Sequence, residues 1–333
     1  MVKIRPFRTG DDLRLTELLH DPTTPAEHFA RSLLRAPSSG ATGEGPALCC
    51  VVATLDDDDV VVGAAAIAAA PLHPARAWVH VEVAAEERGH GIGSALLAAV
   101  REQTVGTDLE GLPLRARIAA EAPGAAIAAH WGFGELSTTR VIRVQPMALG
   151  NLGADRVEDF QVTATGSVAL TQAFGAWYAG VNRVDPVAPL SPGRINAAFL
   201  SEAAGAYGAA LLRRAGRISA FAVSYAVPEA AGRPEQAAPG SADAGPDGVP
   251  EEATELTVGV AFDAEEAAVA ATSSDADYQA ALQDAGVIIA RLSTDVPVDV
   301  EVTSEMPVLG ELLDGLLTAH LARVLYTYTT LGD

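Results

Sequence analysis

A strand, a glycine turn and a helix follow one another around residue 90, and this order constrains the fold more than any other feature of the chain. Val79, Val81 and Val83 alternate with Trp78, His80 and Glu82, as the two faces of a half-buried strand do. Arg88-Gly89-His90-Gly91-Ile92-Gly93 comes next, and Ser94-Ala95-Leu96-Leu97-Ala98-Ala99-Val100 continues as an apolar, helix-forming run. A helix starting in such a turn leaves its first backbone N–H groups without intrahelical partners, and that end carries positive partial charge. Glycines let an anion approach this backbone closely. The stretch predicts a phosphate-bearing ligand.

The glycine spacing separates three kinds of phosphate loop. A Walker loop ends in Gly-Lys-Ser or Gly-Lys-Thr, and no lysine stands here. The dinucleotide pattern Gly-x-Gly-x-x-Gly fails in both registers, because its last glycine falls on Ser94 or on Leu96. The third pattern is Arg/Gln-x-x-Gly-x-Gly, and Arg88, Gly91 and Gly93 match it at every defined position. This loop resembles the acyl-CoA loop of the GNAT superfamily of N-acetyltransferases.

The flanking elements extend the resemblance over about the first 145 residues. Ile4 to Phe7 reads as a strand, and Asp11 and Asp12 are placed to cap a helix carrying Leu13, Leu15, Leu18 and Leu19. Leu48 to Leu55 and Val60 to Ala70 read as strands joined by the acidic turn 56–59. A helix is expected from Ile92 to Gln103, a strand from Leu114 to Ala119, and a short helix from Gly124 to His130. Trp131-Gly132-Phe133-Gly134 then resembles the family's late helix-to-strand junction, and Thr139 to Val144 closes the sheet.

A second apolar body follows the connection Pro146 to Asp155. Helices are expected over Val168–Val181 and Ser191–Ala204, and a hairpin over Ala209–Arg213 and Arg217–Val227 that turns at Ala215-Gly216. Pro228 to Ala253 has no periodicity and reads as a disordered insertion. A strand over Glu255–Phe262, a helix over Tyr278–Leu292, a strand over Val296–Val302 and an amphipathic helix over Leu309–Tyr328 complete the chain. This order again resembles that of a GNAT domain. The loop after Glu255–Phe262 has no glycine and carries Asp263, Glu265 and Glu266, which repel a phosphate. The fold class implied is α/β (α+β): two tandem GNAT-like domains, each a mixed, mostly antiparallel sheet flanked by helices. The first, residues 1–147, would bind acetyl-CoA, and the second, residues 156–333, is a degenerate copy.

The resemblance also implies roles. Backbone groups of Val81, Val83 and Ala85 would pair with the pantetheine arm, and an N–H near Val81 or Val83 would face the oxyanion. The amides of Arg88, Gly89, His90, Gly91, Ile92, Gly93 and Ser94 would hold the pyrophosphate. The family's side-chain chemistry transfers poorly. Ala128 stands where many relatives carry a tyrosine, Glu121 where an asparagine is common, and Ala77 and Val79 at usual positions of a general base. The substitutes within the chain are Glu82 and His80, two apart on one strand face, and His130 at a helix end. Three readings stay open at this point: an acetyl-CoA-dependent N-acetyltransferase acting on a primary amine of a small molecule, a non-catalytic acyl-CoA-binding or sensing protein, and a purely structural partner protein.

Composition narrows the partners. Acidic residues number 43 against 22 basic ones, for a net charge of −21, which argues against nucleic acid. No window of eighteen uncharged apolar residues occurs, so no membrane partner is expected. Cys49 and Cys50 are adjacent and badly placed to bridge one another, which favours a reducing, cytoplasmic setting. No metal site is read, and a homodimer is compatible with the sequence.

Overall fold

The computed structural model describes residues 2–36, 47–55, 59–119, 122, 124–225, 253–264 and 274–333. The insertion expected over 228–253 lies outside the described residues except for Ala253, as do Glu121, Glu265 and Glu266.

The chain divides into two compact units. One holds residues 1–138, 184–188 and 328–333, and the other 139–183 and 189–327. In the first unit, β1 (Val2–Pro6), β2 (Leu48–Leu55), β3 (Val60–Ala69) and β4 (Ala77–Val83) form a continuous antiparallel ladder. β4 meets β5 (Leu114–Ala119) in parallel through two residue pairs, Ala77–Leu114 and Trp78–Arg115. Beyond Trp78 no further pairing joins them, so the sheet splays between these two strands. β5 pairs on its other edge with Tyr328–Gly332 of the last strand, β12 (Ala322–Gly332).

The pleat of β4 sorts its side chains as the alternation predicted. Val79, Val81 and Val83 pack with Leu96, Leu97 and Val100 of α3 (Ile92–Gln103). Trp78 lies on the opposite face, with α1 (Asp11–Leu18) and α2 (Pro25–Ser32), against the core of Phe7, Leu15, Leu19, Leu33 and Leu34. Each fully buried leucine such as Leu96 contributes about 2 kcal/mol through apolar area removed from water. Asp11 does not cap α1. Gly10 is the N-cap residue and offers no side-chain acceptor, while the Asp11 carboxylate takes two hydrogen bonds from the Arg5 guanidinium at 2.7 and 2.9 Å. The pull of a half-buried cation outweighed a local cap.

α4 (Gly124–His130) ends as the sequence indicated. The Phe133 N–H reaches the Ala128 carbonyl, the Gly132 N–H reaches Ala129, and Gly132 has φ +87°. Only a residue tolerant of the left-handed region fits there. β6 (Gly134–Val144) then begins, longer than expected.

The second unit repeats the layout. β7 (Phe160–Thr163), β8 (Ala206–Arg214), β9 (Arg217–Tyr225) and β10 (Thr254–Val260) are antiparallel neighbours. β10 pairs with β11 (Val298–Thr303) in parallel at three positions and then parts from it. β11 pairs with residues 139–144 of β6. Among the described residues each half of the chain thus runs strand, two helices, three strands, helix, strand, helix, strand, the second with α5 (Val168–Gly180), α6 (Pro192–Ile195), α7 (Asp275–Leu292) and α8 (Pro307–Thr318). The core of the second unit joins Phe174, Trp177 and Leu200 to Leu211, Ile288, Ile289 and Leu309.

Two expectations in this half need correction. The helix expected over Leu309–Tyr328 stops at Thr318, and Ala322–Gly332 is a strand. His320 takes φ +58° at the turn, so a histidine holds the left-handed position that a glycine normally marks. The residues after it alternate and are rich in Thr and Tyr, which suits a strand. The helix expected over Ser191–Ala204 is one turn, α6, followed by a wider turn over Asn196–Leu200 and a tight one over Glu202–Ala204.

Candidate functional site

The turn between β4 and α3 is built to leave donors open. Gly89 and Gly91 have φ +82° and +78°, and a side chain at either would be strained although space surrounds both. Gly91 is the N-cap residue of α3 and supplies no side-chain acceptor. The first backbone N–H beyond the turn to find a helical carbonyl belongs to Ala95, bonded to Gly91 at 3.1 Å. The N–H groups from Gly89 to Ser94 make no backbone bond among the described residues. Arg88, Gly89, His90, Gly91 and Ser94 are exposed, whereas the Ile92 side chain is buried in the core and offers only its backbone.

Side chains brace the turn. The Arg88 Nε donates to the Val83 carbonyl at 3.0 Å, which ties the turn to the end of β4. His90 Nδ1 lies 3.2 Å from the Glu87 carbonyl. Trp131 Nε1 donates to Ser94 Oγ at 3.3 Å, and a Cβ on Gly93 would meet Trp131, Val81 and Val83 at 3.9 Å, ordinary contact.

The splay exposes the edge of β4. The Ala77 N–H points to the β5 side and bonds the Pro113 carbonyl at 2.8 Å, and the Ala84 N–H points to the β3 side and bonds Val62 at 2.9 Å. Backbone direction alternates along a strand, so the N–H groups of Val79, Val81 and Val83 face the splay.

On the other face of β4, His80 Nε2 lies 3.1 Å from Glu82 Oε2. Arg31 of α2 grips the same carboxylate through both oxygens, at 2.8 and 2.7 Å. Burial works to raise the Glu82 pKa, but the His80 and Arg31 contacts prevail and hold it below the usual range. His80 and Glu82 are therefore brought together. His130 is exposed at the end of α4 and makes no hydrogen bond or ion pair among the described residues, with neither of them included. Ala128 is buried, so the missing tyrosine leaves a packed methyl and not an opening.

Arg31 escaped the sequence reading. It stands 51 residues from Glu82, and only α2 packing against the sheet joins them. The same face holds a second group that sequence order hides. Asp185, in the segment 184–188, ion-pairs with Arg115 at 2.6 Å and Arg76 at 3.0 Å, and its carbonyl lies 2.8 Å from His73 Nδ1.

In the second unit, the Asp263 carboxylate does not sit in an anion-binding turn. It is buried and accepts the N–H groups of Val308 at 2.7 Å and Leu309 at 3.3 Å, at the start of α8. Burial pushes its pKa up, against these two bonds, to about 6. Among the described residues no group of His, Cys, Asp and Glu could hold a metal ion, and no helix is long and apolar enough to cross a membrane. Cys49 and Cys50 are free and buried.

Residues 13–116 match the model of the Acetyltransferase (GNAT) family. No curated protein matches the chain. Among solved structures, the chain is similar to a GCN5-related N-acetyltransferase from Sphaerobacter thermophilus, with 14% identity and a TM-score of 0.56, over 100% of this chain and 95% of that one. It is similar to the GCN5-related glucosamine N-acetyltransferase region of a fungal multi-domain GH3 β-N-acetylglucosaminidase, with 11% identity and a TM-score of 0.57, over 100% of this chain and 38% of that one. A tandem GNAT protein from the clavulanic acid biosynthesis pathway aligns over 100% of this chain and 98% of its own, with 15% identity and a TM-score of 0.49.

Proposed function

From the match of residues 13–116 to the GNAT acetyltransferase family model, we propose that the chain transfers an acetyl group from acetyl-CoA to the primary amine of a small molecule. The observation that carries this reading is the open run of backbone N–H groups from Gly89 to Ser94 at the start of α3, beside a splayed strand edge. Such donors suit a pyrophosphate, and the helix end adds favourable charge. The N–H groups of Val79, Val81 and Val83 suit the amide-bearing arm of the same molecule. When bound, acetyl-CoA would supply an activated thioester carbonyl.

The chain's own residues would prepare the amine. An amine attacks only when neutral, so a proton must leave it. His80 is the base in this reading. Glu82 stays ionised beside Arg31 and His80, and an ionised carboxylate at Nε2 favours the tautomer that leaves Nδ1 as acceptor. Glu82 is then a positioning residue, and Arg31 fixes Glu82. His130 makes no hydrogen bond or ion pair with this pair among the described residues.

Titration calorimetry with acetyl-CoA and a thiol-release assay over a panel of amines test the reading. Binding together with release supports it. Binding with no release from any amine favours a non-catalytic acyl-CoA sensor, and no binding removes both.

A further inference from the structure

Arg117 extends the face that carries His80 and Glu82. Along β5, Leu114, Ala116 and Ile118 belong to the α3 side, so Arg115 and Arg117 emerge on the side of α2. Trp78 pairs with Arg115 in register, and the Arg115 guanidinium lies over its ring at 4.0 Å. The Arg117 guanidinium lies 4.4 Å from the centre of the Tyr328 ring, 5.4 Å from that of Trp78 and 5.6 Å from that of Phe29.

The two arginines differ in what they hold. Arg115 is committed to Asp185 at 2.6 Å. Arg117 is half-buried, makes no hydrogen bond or ion pair among the described residues, and has a buried Nε with no partner. Aromatic rings stabilise a guanidinium over its flat faces and leave its N–H edge unsatisfied. That edge matches a carboxylate in two-point geometry. No second uncommitted cation contacts this ring cluster among the described residues, so the site offers one positive charge, which the single charge of a carboxylate matches. Trp78 and His80 are one same-face step apart on β4, about 7 Å.

We infer that Arg117 binds a carboxylate on the acceptor, so the acceptor is an amine that carries a carboxylate a short chain away, as an amino acid does. This inference rests on the transferase reading for the identity of the site as an acceptor site.

The test compares amino acids with their carboxamides in the full-length chain, in wild type, Arg117→Met and Arg117→Lys, by thiol release from acetyl-CoA. Wild type should prefer the acids, and Arg117→Met should reduce the acid-to-amide ratio of kcat/KM at least tenfold, mostly through KM. Arg117→Lys should restore part of the ratio, which loss of packing alone cannot do. Equal use of acids and amides by wild type, or an unchanged ratio in Arg117→Met, overturns the inference while leaving the transferase reading intact. Calorimetry of the same compounds in the presence of coenzyme A separates the two ideas. Acid-selective binding lost in Arg117→Met upholds the carboxylate site even if no amine is acetylated, and the absence of such binding overturns it.

Discussion

The two halves of the chain start the same helix in opposite ways. α3 begins at Gly91, with no side-chain cap on its first N–H groups among the described residues. Its counterpart α7 begins at Ser274, whose hydroxyl accepts the Asp277 N–H while the Asp277 carboxylate accepts the Ser274 N–H. α8 is closed as well, by Asp263. A strand followed by a helix thus becomes an anion site only where the chain leaves its own donors unanswered. The carboxylates on the two splayed strands diverge likewise. Glu82 is held low by His80 and Arg31 against its burial, whereas burial, Asp299 and Glu301 all push Glu255 upward.

The largest effect should come from Asp263. Its folded pKa of about 6 lies above the ordinary 3.8, so the native state holds this proton more tightly than the unfolded chain. The stability it adds is fully present below pH 3.8 and is lost as pH rises through 6, a change of about 3 kcal/mol. Urea midpoints across that window should fall with rising pH in wild type and flatten in Asp263→Asn. Identical slopes in both proteins remove the contrast between the helix starts.

Gly91→Asp should make the first half imitate the second. A carboxylate at that N-terminus competes with a phosphate, and the backbone there is left-handed. Acetyl-CoA affinity should fall at least 100-fold, about 2.7 kcal/mol, by calorimetry. Unchanged affinity means the turn holds no phosphate.

Glu82→Gln should lower kcat about tenfold, near 1.4 kcal/mol, with acetyl-CoA affinity kept. A loss confined to KM would assign the pair to binding and not to positioning the base. Ser274→Ala should cost only about 1 kcal/mol in urea unfolding and leave acetyl-CoA affinity untouched. A change in affinity there would break the assignment of the open site to the first half.

Local chemistry was strong enough to be read directly in several places. α3 and β5 have the bounds their periodicity predicted, because glycine and apolar spacing act within a few residues. The hairpin at Ala215-Gly216 was legible for the same reason: both residues take positive φ, at +48° and +77°. The final helix was misjudged because a histidine, and no glycine, turns the chain at position 320.

By itself, then, the sequence determined the glycine turn, the order of elements from β2 to β6 and the shared face of His80 and Glu82, since each depends on backbone preference and side-chain period over short spans. Tertiary structure alone decided that Arg31 grips Glu82, that Asp185 joins Arg76 and Arg115, that Arg117 sits among three rings, and that Tyr328 to Gly332 pair with β5. Those pairings join residues far apart in the chain. They exist because a buried charge must find a partner or an aromatic face, and because a strand edge must find another strand, wherever the fold brings one within reach.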